Sequence, residues 1–100
     1  MVVLALAGCG GHGLSKAERE RMNAEFARID LSISNMTLGG QPANQAGLEQ
    51  LTKKYVATTQ KYADGLGDDA VRQRLGDEAD QLRPWCLRCS ALLEQEREKY

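Results

Sequence analysis

The chain of 100 residues carries a single histidine, and that scarcity removes whole classes of chemistry. A Ser-His-Asp or Cys-His relay needs an imidazole held against its nucleophile, and His12 sits instead in the glycine stretch Gly10-Gly11-His12-Gly13. Cysteine is also sparse, at three residues. A structural zinc site needs about four ligands, and past Cys86 and Cys89 no further cysteine pair is present. Ser90 follows them where heme attachment through C-x-x-C requires histidine. No metal and no cofactor is therefore expected. Charge of one sign is missing as well: 13 Lys and Arg against 14 Asp and Glu leave a net of −1. The signs are interspersed, so no basic face for nucleic acid is expected. The carboxylates Asp68, Asp69, Asp77, Glu78 and Asp80 read as a solvated outer face rather than an acid-base pair. Aromatics make up 5%, prolines number two, and β-branched residues do not cluster after Val3. That composition disfavours strands and favours an all-α fold.

The apolar stretch at the N-terminus, Val2-Val3-Leu4-Ala5-Leu6, is far short of the ~20 residues a membrane-spanning helix needs. It runs into Ala7-Gly8-Cys9. An aliphatic residue, two small residues and a cysteine at the end of an apolar core resemble the lipobox of a bacterial lipoprotein signal. The resemblance covers only these first residues. It implies cleavage before Cys9, lipidation of Cys9 with acyl chains such as palmitate, and a mature chain held on the extracytoplasmic side of a membrane in the cell envelope. A signal peptide also has a basic n-region; none precedes Val2, which is read as an N-terminus started late or trimmed. Residues 1–8 are thus a truncated signal-like segment, 9–14 a lipidation site with a glycine-rich tether, and 15–100 one helical domain. Gly8, Gly10 and Gly13 also spell G-x-G-x-x-G. A dinucleotide loop would need a second parallel strand about thirty residues on, and none is legible.

The helical domain announces its start. Ser15-Lys16-Ala17-Glu18 is a capping box, in which Ser15 accepts from the Glu18 amide while Glu18 reaches back. Met22, Phe26, Ile29, Ile33 and Met36 then recur at helical spacing, and Gly39-Gly40 before Pro42 ends that helix near Thr37. A second helix, about Pro42 to Asp64, carries Leu48, Leu51, Tyr55, Tyr62 and Leu66, with Thr58 or Thr59 between the tyrosines. Gly65 and Gly67 form the next turn, and Asp68 is the expected N-cap of a third segment. That segment places Val71, Leu75, Ala79, Leu82, Cys86, Cys89 and Leu93 in one stripe. Pro84 interrupts it, at a cost of about 3 kcal/mol if the helix ran straight through. The expected architecture is an antiparallel three-helix bundle with the third helix kinked or broken near Pro84; the alternative is a four-helix up-down arrangement in which Pro84 begins the fourth helix.

Trp85-Cys86-Leu87-Arg88-Cys89 is the remaining suggestive constellation. W-C-x-x-C is the spacing of thioredoxin-like redox sites, but those follow a strand in a βαβ pattern and these residues follow a helix. Cysteines three apart on a helix lie roughly 5–6 Å apart, within disulfide range. A disulfide, a reduced pair buried in the core and a redox pair all stay open. Glu94-Gln95-Glu96-Arg97-Glu98-Lys99 reads as a charged terminal face that frays. The sequence therefore points to a membrane-anchored helical protein, not an enzyme, with a structural or protein-interaction role and an envelope protein as partner. A thiol-redox protein using Cys86 and Cys89 is the second expectation. A bundle binding an apolar ligand beside Met22, Phe26, Met36 and Trp85 is the third.

Overall fold

Ser15 starts the first helix as the capping box requires: its hydroxyl accepts from the Glu18 amide at 3.1 Å and its own amide donates to the Glu18 carboxylate at 3.0 Å. The architecture is that of a computed structural model, which describes residues 13–38 and 44–100. Within them the chain is all-helical, with α1 (Lys16–Thr37), α2 (Gln45–Leu66), α3 (Asp68–Leu82) and α4 (Leu87–Arg97). Gly39, Gly40 and Pro42 lie outside the described residues. Asn44 caps α2, its side-chain oxygen accepting from the Gly47 amide at 3.2 Å.

Four helices replace the bent three-helix bundle, and the reason is local. The helix stops at Leu82, whose carbonyl takes the amides of Trp85 and Cys86 at 2.9 and 2.8 Å. Pro84 sits in that turn, where its missing N–H and fixed φ do no harm. It does not begin α4, because Cys86 is the N-cap and Leu87 the first helical residue. The turn between α2 and α3 is also tighter than expected. Gly67 alone ends one helix and precedes the next, at φ 87° and ψ 155°, a region open in practice to glycine only. Asp68 lies in the first turn of α3 and makes no capping hydrogen bond. With Asp69 it instead places negative charge at the positive end of the helix dipole.

The chain runs up and down through the four helices. Leu14 lies against Gly65 and Met36 against Gly47, while Phe26 meets Tyr55 with ring centroids 4.8 Å apart, so α1 and α2 are antiparallel. Gln45 donates to the Trp85 carbonyl and Gln60 to Glu96, which sets α4 parallel to α2. α2 packs directly against all three other helices, and α3 against α4; among the described helices α1 approaches in backbone only α2.

Met22, Phe26, Ile29, Ile33, Leu48, Tyr55, Tyr62, Val71, Leu75, Ala79, Leu82, Cys86, Cys89 and Leu93 form one buried core. Met36 and Leu51 are half-buried at its margin, where the stripes run out. Threonines fill the α2 positions a leucine stripe would take: Thr52 and Thr59 are fully buried and Thr58 nearly so. Each hydroxyl donates to the carbonyl four residues back, at 2.8 to 2.9 Å, so none is left unsatisfied.

Candidate functional site

Cys9 and His12 lie outside the described residues. Cys86 and Cys89 are joined, with Cα atoms 5.2 Å apart, across the start of α4. Both residues are almost fully buried, and the Cys86 sulfur also accepts from the Cys89 amide at 3.0 Å. The disulfide is thus part of the cap that starts α4 after the Pro84 turn. Trp85 packs half-buried beside it.

The strongest electrostatic feature is elsewhere, on α1, α2 and α3, and overturns one expectation. Glu78 is not on a solvated face: it is 4% exposed. Its carboxyl group lies within hydrogen-bonding reach of Asp30 on α1, and Glu78 Oε2 and Asp30 Oδ1 have no donor at all. Burial first, then the hydrogen bond and the charge of Asp30, push the Glu78 carboxyl up to about 9; Arg74 opposes them without cancelling them. The Arg74 guanidinium itself lies over the Phe26 ring, 4.3 Å from its centroid. Burial, and after it the charge of Glu78, raise the Tyr55 hydroxyl well above its usual range. An open cleft of about 450 Å³ runs along this cluster, lined by Asp30, Tyr55, Gln73, Arg74, Asp77 and Glu78 among others.

Two further carboxylates hold helices together. Glu25 of α1 accepts from Tyr62 and from Lys61 of α2, which hold its carboxyl below the usual range. Glu96, expected on a fraying face, is 5% exposed. It accepts from Gln60 at 2.9 Å, Tyr100 at 3.1 Å and Lys99 at 3.0 Å. Burial acts to raise its carboxyl, and these three donors outweigh it and lower it. The Tyr100 carbonyl in turn accepts from Arg72, so the last turn is tied to α3.

None of this resembles a nucleophile with a base. Among the described residues no three Cys, His, Asp or Glu side chains converge as a metal would need. The clefts beside Asp30, beside Gly76 and beside Tyr100 are open and lined mainly by charged and polar groups. None of the three touches Met22, Phe26, Met36 or Trp85; Met22 and Phe26 are closed inside the core. The described residues therefore define a small helical bundle with an unpartnered carboxyl pair and a buried disulfide. Comparison with protein-family models, with curated proteins and with solved structures found no match.

Proposed function

We propose that this chain is a small lipoprotein of the bacterial cell envelope, anchored on the extracytoplasmic side of a membrane through lipid on Cys9, with a structural or protein-interaction role. The observation that carries the reading is Leu6-Ala7-Gly8-Cys9, closing an apolar run a few residues before a helical domain that opens at Ser15. No described helix is long and apolar enough to cross a membrane. Five peptide steps separate Cys9 from Leu14 and reach at most about 18 Å. Leu14 packs against Gly65, so a lipid anchor on Cys9 would keep the α2–α3 turn near the bilayer.

At the other end of the bundle Leu38 and Leu87 stand 78% and 74% exposed. Apolar side chains so placed suit contact with a partner better than catalysis. The redox alternative is weaker, because thiol exchange needs a sulfur open to attack and both cysteines are buried. The apolar-ligand alternative is weaker because Met22 and Phe26 pack into a filled core. Growth with a labelled fatty acid tests the reading: the parent carries label into the membrane fraction, and Cys9→Ser carries none. Unlabelled parent protein overturns it.

A further inference from the structure

The contact between α1 and α3 has an unusual composition. Among the described helices α1 comes close in backbone only to α2; toward α3 it presents side chains, among them Phe26 under Arg74 and Asp30, which shares a cleft with Glu78. Glu78 Oε2 and Asp30 Oδ1 are both buried from solvent and both without a donor. Two ionised carboxylates whose facing oxygens are buried and unpartnered repel. A positive group belongs between them. Arg74 does not fill the role, since its guanidinium lies over the Phe26 ring. A divalent ion prefers about six oxygen ligands, and among the described residues no third acidic side chain joins the pair in a metal-binding group. A proton needs only the two oxygens.

We propose that Glu78 and Asp30 form a proton-held clasp between α1 and α3, closed while Glu78 carries its proton and donates it to Asp30, and released when that proton is lost to solvent. Release is the reaction of the Glu78 carboxyl with hydroxide to give its carboxylate and water, and the adjoining cleft supplies the route. Facing Glu78 are Asp30 from α1, Tyr55 from α2, and Arg74 and Asp77 from α3; α4 contributes no residue to that cleft. The Tyr55 hydroxyl is raised and stays neutral through the range concerned.

The direction follows from linkage. Burial and Asp30 hold the proton on folded Glu78 to about pH 9, against 4.5 as the ordinary value. Between those limits the folded state binds more protons than the unfolded chain. The contribution is complete below about pH 4.5 and is lost as pH rises through about 9. The loss is at most about tenfold in the folding constant per pH unit. Because α1 meets α3 through side chains alone, with no close backbone approach, its amides should open first.

The test compares the parent with Glu78→Gln, whose amide donates to Asp30 at every pH, and with Asp30→Asn. Carboxyl carbon NMR of the parent should show Glu78 titrating near pH 9; a midpoint near 4.5 overturns the proposal. Folding constants measured from pH 5 to 9 should fall in the parent and lose that slope in Glu78→Gln, and a retained slope overturns it. Hydrogen exchange, corrected for intrinsic rate, should lose protection in α1 before α3 at pH 9 in the parent but not in Glu78→Gln. Simultaneous loss in every helix overturns the clasp. Magnesium, calcium or manganese chloride that restores the parent at pH 9 without affecting Glu78→Gln means that the oxygens hold a metal, and also overturns it. Should Glu78→Gln fail to fold, Asp30→Asn gives the same decision by shifting the Glu78 midpoint down.

Discussion

Gly76 and Gly65 both lie in helices, and the neighbours each would meet on gaining a Cβ make opposite predictions. A mid-helix Gly→Ala change gains about 1 kcal/mol of helix propensity. At Gly76 the new Cβ would sit 3.3 Å from Arg97 Cζ, the far end of a flexible, half-exposed side chain. Moving it sacrifices at most the exposed 3.2 Å pair between Arg97 and Glu94, about 0.5 kcal/mol. Gly76→Ala should therefore stabilise by about 0.5–1 kcal/mol, or a few degrees in Tm. At Gly65 the Cβ would fall 2.3 Å from Leu14 Cδ2 and 2.8 Å from its Cγ, and Leu14 must leave its seat. Giving up half a leucine's burial costs about 1 kcal/mol, and a gain so near the helix end is smaller than at mid-helix. Gly65→Ala should be neutral or destabilising in the parent and become stabilising once Leu14→Ala has cleared the space. Urea denaturation of the four proteins in that cycle gives the coupling, expected at about 1 kcal/mol. Equal effects of Gly65→Ala in both backgrounds would refute the seating of Leu14, and with it the placement of the tether.

Three other changes follow from the packing. Leu75 is fully buried between the helices, so Leu75→Ala should cost about 2–5 kcal/mol with an unchanged denaturant slope. Replacing Cys86 and Cys89 by Ala removes a disulfide closing a short loop, worth about 2 kcal/mol by chain entropy. Denaturation should show that loss as a lower midpoint shared by the signals of all the helices. Deleting Tyr100 takes a donor from Glu96 and an acceptor from Arg72; hydrogen exchange should show the end of α4 fraying, at a cost of about 1–2 kcal/mol.

The helices were legible where local chemistry and apolar spacing agreed. Ser15 and Glu18 define the start of α1 as a pair, and Met22, Phe26, Ile29 and Ile33 lie buried on one stripe. The break after Leu82 was half legible: Pro84 marks it, but the restart depends on Cys86 acting as the cap, which spacing alone does not reveal. By its charge Glu78 reads as a surface residue, but its position says otherwise. It stands three residues after Leu75 and four before Leu82, on the buried stripe itself. It faces Asp30 of α1 across a shared cleft, a neighbour that a sequence gives no means of pairing with it. Glu96, three after Leu93, was missed in the same way, and its donors Gln60 and Tyr100 come from α2 and from the residues after α4. Buried threonines on α2 complete the pattern. Their hydroxyls are satisfied within the helix, so polarity did not exclude them from the core.

The anchor remains the centre of the functional reading. Cells producing the parent or Cys9→Ser, grown with labelled palmitate and fractionated, test it most directly. Label on the parent, its recovery with membranes, and loss of both in Cys9→Ser are predicted. A parent protein without label, or one equally labelled after Cys9→Ser, contradicts the proposal.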